Sequence, residues 1–160
     1  MEKLLSRVHA SSKISVSLKI ISHASVTACA VFYVLMLGHF YLSAPISAVR
    51  LILASGVPFI LVSILRRIIN APRPYELYTF YTVRPKEKRG RSFPSRHVFS
   101  AFVIAGFAYT VSPWLSGAFS VLGILLAISR VLLGIHFIRD VVAGALLGAL
   151  SAALGIIILF

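Results

Sequence analysis

Two histidines, one carboxylate and a set of arginines are the residues of this 160-residue chain whose types and spacing could do chemistry. His136 and Asp140 are four residues apart, a separation that on a helix places two side chains on one side and within reach of each other. A carboxylate so placed can hold the imidazole in one tautomer and stabilise its positive charge, which leaves the other ring nitrogen free to attack phosphorus. His97 is a second imidazole, suited to act as general acid toward a leaving oxygen. Arg66, Arg73 and Arg130 supply guanidinium groups, which keep their charge at any working pH and match phosphate oxygens through paired hydrogen bonds. They would also neutralise charge as a phosphoryl transition state forms. The expected chemistry is phosphoryl transfer, with His136, His97 and Asp140 as the catalytic residues.

Metal-assisted hydrolysis is a poorer match to the composition. Such sites gather several carboxylates around their ions, and the chain has only four acids, Glu2, Glu76, Glu87 and Asp140, of which Asp140 alone is well placed. No metal site and no cofactor are expected. Cys29 is the only cysteine, so it has no partner for an intrachain disulfide, and its neighbours lack zinc-ligand spacing.

The elements that must position these residues belong in a bilayer. The hydrophobic fraction is 59% and charged residues make up 12%, with a mean hydropathy of +0.95, outside the range of ordinary soluble domains. Apolar runs at about 20–42, 45–65, 97–111, 114–133 and 137–160 can span, the third being short for a full crossing. Backbone groups must be satisfied internally in hydrocarbon, and continuous apolar runs without period-two alternation exclude a β-barrel. The expected fold is therefore an all-α, polytopic membrane bundle of about five transmembrane helices. Residues 1–19 mix Leu4, Leu5, Val8, Ile14 and Leu18 with Lys, Arg and Ser, as an interfacial N-terminal segment would. Their basic residues do not suit a short cleavable signal peptide, so the first span is expected to stay. One membrane-embedded domain, 1–160, is expected, with the long polar stretch 70–96 as an active-site loop.

Alternation of spans then brings the chemistry to one membrane face. The end of the second span, the start of the third, the end of the fourth and the start of the fifth carry Arg66, Arg73, Ser95, Arg96, His97, Ser129, Arg130, His136 and Asp140. Arg50, Arg67 and Arg139 read as interfacial anchors, and His9, His23 and His39 as structural residues. Pro58 should bend the second span. Gly144-x-x-x-Gly148 and Ser151-x-x-x-Gly155 read as sites of close helix packing rather than dimerisation. A net charge of +12, carried between apolar runs, points to phospholipid headgroups or a phosphorylated lipid as partner, not to nucleic acid.

Three segments together resemble the signature of the type 2 phosphatidic acid phosphatase superfamily, which also includes the vanadium haloperoxidases. Arg66, six residues and Arg73-Pro74 match its first motif with Arg in place of Lys; Pro94-Ser95-Arg96-His97 matches Pro-Ser-Gly-His with Arg in place of Gly; and Ser129-Arg130, His136 and Asp140 match the third in full. The resemblance implies that His136 forms a phosphohistidine, that Asp140 orients it and that His97 protonates the leaving alcohol and later activates water. It implies phosphate binding by Arg66, Arg73, Ser95 and Arg130. The first departure keeps the charge but replaces a compact ammonium with a planar fork. The second removes a glycine's freedom of close approach, and Arg96 can be read either as a contact to a second phosphate or as facing headgroups.

The membrane spans favour a lipid substrate over haloperoxidase chemistry: a phosphate monoester or diphosphate of phosphatidic acid, phosphatidylglycerol phosphate or a polyprenyl alcohol. The rival readings are a phosphotransferase that intercepts the same intermediate and a non-catalytic membrane protein that binds anionic lipid. The protein is expected in the cell membrane with its site at the interface. Lys3, Arg7, Lys13 and Lys19 share the site's face by span count and incline it to the cytoplasm.

Overall fold

The computed structural model describes residues 5, 6, 8, 10–78 and 89–159, and helix is the only regular secondary structure among them. The elements are α1 (Ser12–Ser43), α2 (Pro45–Ile69), the single turn α3 (Pro74–Leu77), α4 (Arg96–Ala108), α5 (Pro113–Leu132) and α6 (Ile138–Leu159). α1, α2, α5 and α6 are long and apolar enough to cross a membrane, while α4 is shorter. The chain is a multi-pass, all-helical membrane protein. Pro45 and Pro113 stand at the first positions of α2 and α5, where the missing amide hydrogen would have had no intrahelical acceptor. Asn70 ends α2 in the left-handed region, φ 43°, with its amide on Arg66 O, a stop that Asn accepts more readily than most residues.

One boundary differs from expectation. Ser12–Lys19 belong to the same unbroken helix as the first span, although none of these eight residues is buried. At 1.5 Å per residue α1 is about 48 Å long, well beyond a hydrocarbon core of about 30 Å. No break in the backbone marks the end of the expected interfacial stretch at residue 19. Leu5 and Val8, farther toward the N-terminus, are buried; Lys3, Arg7 and His9 lie outside the described residues.

α4 is the centre of the bundle. It packs mainly on α6 and α5 and also reaches α1 and α2. One side gives Phe99, Val103 and Phe107 to a cluster with Met36, Leu51 and Ala152, and another gives Val98 and Ala101 to a cluster with Cys29, Leu126 and Val141. Such all-round burial is what an apolar helix without a polar stripe requires. The small residues of α6 make the closest of these contacts. A Cβ on Gly144 would sit 2.6 Å from Ser95 O, one on Gly148 would collide with Phe99 O, and one on Gly155 would meet Phe107 Cζ at 2.8 Å. The small-residue motifs thus pack within the chain, Gly144 and Gly148 on the backbone of α4 and Gly155 on side chains of α2 and α4.

Candidate active site

The site is built where α2, α4, α5 and α6 end or begin together. Arg66, in the last turn of α2, is buried, and its two terminal nitrogens donate to main-chain carbonyls of the returning loop: Nη2 to Arg91 O, Nη1 to Pro94 O and, at 3.4 Å, to Ser92 O. A planar fork can hold carbonyls that a single ammonium could not bridge in this way. The loop is tied at further points. Ser92 N donates to Ala71 O at 2.9 Å, Arg73 Nε donates to Gly90 O at 3.1 Å, and the Glu76 carboxylate accepts from Arg73 N at 3.1 Å and Gly90 N at 2.7 Å. Gly90 has φ 69°, and a Cβ there would collide with Asn70 Oδ1, so both conformation and space require glycine. Of the expected loop 70–96, residues 79–88, with Pro85 and Glu87, lie outside the described residues.

The loop delivers Ser95 to the start of α4. Ser95 N donates to Asp140 O at 2.9 Å, joining α4 to the first turn of α6. The Ser95 hydroxyl is fully buried and has no hydrogen-bond partner among the described residues, which leaves a donor without the compensation that burial normally demands. His97 follows in the first turn of α4, exposed at the residue level, and the charges whose fields reach its ring include Arg130, His136, Arg96 and Arg66.

α5 stops at Leu133 and Gly134. Leu133 N bonds Ser129 O at 2.9 Å and Ile135 N bonds Arg130 O at 3.0 Å, with Gly134 at φ 66°. This left-handed stop turns the chain toward α6 and sets His136 just ahead of that helix. The expected helical His136–Asp140 pair is corrected here: only Asp140 lies on α6, and its Oδ2 accepts the Phe137 amide at 3.0 Å, satisfying an otherwise open donor of the helix N-terminus.

A residue that sequence reasoning did not single out joins the two. His136 Nδ1 stands 3.6 Å from Asp140 Oδ2, too far for a hydrogen bond. The Ser92 hydroxyl lies between them, donating to Asp140 Oδ2 and 3.2 Å from His136 Nδ1. All three side chains are buried, Ser92 and Asp140 completely. Because an ionised carboxylate only accepts, the single hydroxyl hydrogen belongs to Asp140, and Ser92 Oγ must accept from Nδ1–H. That assigns the proton to Nδ1 and the free lone pair to Nε2. Burial lowers the His136 pKa from its usual range, Arg73 and Arg66 press the same way, and Asp140 opposes them, so the ring is neutral near pH 7.

The expected residues His136, Asp140, His97, Arg66, Arg73, Arg130 and Ser95 are thus gathered at one end of the bundle. Arg50 sits near the start of α2, at its other end. Arg139 is exposed, with its guanidinium over the Phe137 ring and Nε 3.6 Å from Asp140 Oδ1. His23 Nδ1 rests on Lys19 O at 2.8 Å and His39 packs on Phe40. Ser129 turns its hydroxyl to Leu126 O at 2.8 Å. Among the described residues no group of three His, Cys, Asp or Glu side chains gathers as a metal site would.

A family model described as PAP2 superfamily matches residues 47–160. Among solved structures, Aquifex aeolicus LpxE is similar, with a TM-score of 0.70 and 22% identity, over 91% of this chain and 87% of that one. A transmembrane PAP2 type phosphatidylglycerolphosphate phosphatase from Bacillus subtilis is similar with a TM-score of 0.59 and 24% identity, over 95% of this chain and 88% of that one. At these identities the likeness is one of fold. No curated protein matches the chain.

Proposed function

The chain belongs to the PAP2 superfamily, and on that premise we propose that it is a metal-independent lipid phosphatase that works through a phosphohistidine. The observation that carries this reading is the buried Asp140–Ser92–His136 chain of contacts, which leaves Nε2 of a neutral imidazole as the nucleophile. Arg73, Arg130 and the unpartnered hydroxyl of Ser95 hold the phosphoryl oxygens. Arg66 adds its charge while its hydrogen bonds fix the loop that presents Ser92 and Ser95.

In the first step Nε2 forms a bond to phosphorus as the phosphorus–oxygen bond to the lipid breaks. His97 gives its proton to the leaving oxygen. Positive charge that develops on the His136 ring is balanced through Ser92 by Asp140, itself stabilised at the N-terminus of α6. In the second step His97 takes a proton from water, the oxygen of which attacks phosphorus and releases inorganic phosphate and free His136. Residues 1–160 act as one catalytic unit, with 70–96 as its active-site loop. The reaction takes place at the interface of the cell membrane on the cytoplasmic face, the side that the N-terminal lysines favour. The substrate class comprises phosphate monoesters and diphosphates of membrane lipids: phosphatidic acid, polyprenyl phosphates, and phosphatidylglycerol phosphate, to which the name of the Bacillus subtilis neighbour points.

The test is release of inorganic phosphate by purified protein in detergent, over a panel of these lipids, with EDTA present. Turnover in the chelator, inhibition by vanadate and a loss of at least ~10³ in kcat for His136→Ala are expected. Activity that vanishes with EDTA and returns with magnesium, or a fully active His136→Ala protein, would defeat the reading.

A further inference from the structure

Next to the site an apolar groove opens between helices, and its mouth carries a cation that the mechanism above does not use. A cavity of about 290 Å³ is bounded by Cys29 and Ala30 of α1, Phe59 of α2, and Arg96 and His97 at the start of α4. A second, of about 230 Å³, shares Phe59, Ser100 and Ile104 with it and continues to Tyr33 and Ser55, whose hydroxyls bond each other at 2.7 Å. From His97 to Ile104 the groove wall follows α4 for about 10 Å. Ala30 and Phe59 are exposed on membrane-spanning helices, so the groove is open to the bilayer, and its apolar walls suit a hydrocarbon chain.

Arg96 stands where that chain would join its headgroup. Its guanidinium lies over the Phe59 ring, 5.8 Å from the centroid, an arrangement that holds a cation at an apolar mouth. The two close approaches of a basic to an acidic side chain among the described residues both involve Asp140, with the neutral His136 and with Arg139, so neither engages Arg96. Its charge therefore faces the space between His97 and the groove without a described carboxylate beside it. Arg96 and His97 line the same cavity, so a group bound there by Arg96 shares it with the oxygen that His97 would protonate.

The geometry points to Arg96 as the binding residue for a second phosphate on the leaving-group side, and hence to a lipid diphosphate whose hydrocarbon chain lies in this groove. The inference rests on the phosphatase reading and narrows it. In phosphatidic acid the leaving group is an uncharged glycerol oxygen, which offers Arg96 no anion, and in phosphatidylglycerol phosphate the second phosphate is a diester held a whole glycerol away from the bond that breaks. In a diphosphate the bridging oxygen leaves as part of a phosphate monoester. His136 Nε2 bonds to the terminal phosphorus, the terminal phosphorus–bridging oxygen bond breaks, and the electron pair and the His97 proton go to the bridging oxygen. Arg96 balances the charge that gathers on the departing lipid monophosphate. Water then cleaves the phosphorus–nitrogen bond, and the products are one lipid monophosphate and one inorganic phosphate.

The test compares farnesyl diphosphate with farnesyl phosphate, which share one tail, using kcat/KM for phosphate release by wild type, Arg96→Gly, Arg96→Gln and Arg96→Lys. Wild type should prefer the diphosphate. Arg96→Gly and Arg96→Gln should each lower the diphosphate-to-monophosphate ratio at least tenfold, and Arg96→Lys should keep most of it. Arg96→Gln preserves length and polarity should the glycine variant fail to fold. A ratio unmoved in both uncharged variants, or a wild type that hydrolyses phosphatidic acid and neither farnesyl ester, overturns the role of Arg96 and leaves the phosphatase reading standing. No phosphate from any of these three lipids or from phosphatidylglycerol phosphate overturns both.

Discussion

With the Ser92 hydroxyl removed, His136 Nδ1 would face Asp140 across 3.6 Å with nothing between them to fix the tautomer. Ser92→Ala should therefore lower kcat about 10- to 100-fold, the usual range for a partner that orients a reacting group, with KM changed little. Ser92→Thr should recover part of the loss because it restores the hydroxyl. A variant with unchanged kcat and a lower unfolding temperature would show a packing role instead. On the proposed mechanism the acid limb of the pH profile belongs to this same ring. Burial disfavours the imidazolium, so Nε2 stays unprotonated as pH falls through the ordinary histidine value of about 6.5. In kcat/KM, which reports the free enzyme, the acid-side fall should thus lie below that value, and a midpoint at or above it would contradict a buried neutral nucleophile. Type and spacing made His136, Asp140, His97 and the arginines legible in the sequence. Ser92 was not, because it is uncharged and its partners lie 44 and 48 residues away. Glu76 read as isolated in a basic loop for the same reason: one of the two amides it clamps is 14 residues distant.

Among the elements, the apolar runs matched the helix ends to within four residues, since hydrocarbon leaves the backbone little choice, except that α1 begins eight residues before its run. What they could not give was the position of a boundary relative to a side chain. Spacing alone put His136 and Asp140 on one helix, whereas the turn at Gly134 sets His136 ahead of α6. The motif survives because a capping carboxylate in the first turn points back toward the residues that precede the helix. Small residues on α6 were legible as packing sites, though not their target, which for Gly144 and Gly148 is the backbone at the start of α4. Gly144→Ala would drive a methyl group to 2.6 Å from Ser95 O. Overpacking of this kind costs about 1–3 kcal/mol, and here it would also displace Ser95 and His97. A lower unfolding temperature in detergent together with reduced turnover is expected. Gly38→Ala, where a Cβ meets nothing within 4 Å, should reduce neither. Equal effects at the two glycines would contradict the close approach.

For the molecule as a whole, four helices able to cross a membrane and a shorter central one place the start of α1 and the site at the same end. Cys29, the sole cysteine, is buried, which gives a quiet background for thiol labelling. In sealed vesicles Lys13→Cys should react with an impermeant maleimide from the cytoplasmic side alone, and Ser112→Cys, in the turn between α4 and α5, from the other side alone. The reverse pattern would move the chemistry to the outer face. Net charge and hydropathy pointed to a lipid partner from the sequence, while the groove beside His97 needed three dimensions, since α1, α2 and α4 form its walls from residues far apart in the chain. The glycine contacts also give the bundle a mechanical asymmetry. α4 and α6 are bolted main chain to main chain and carry the acid and the capping carboxylate, whereas α1 and α2 meet α4 more sparsely. On the proposed reading, breathing that admits a greasy chain from the side would fall to α1 and α2, and the doorway would widen while the spacing of the reacting groups stayed fixed.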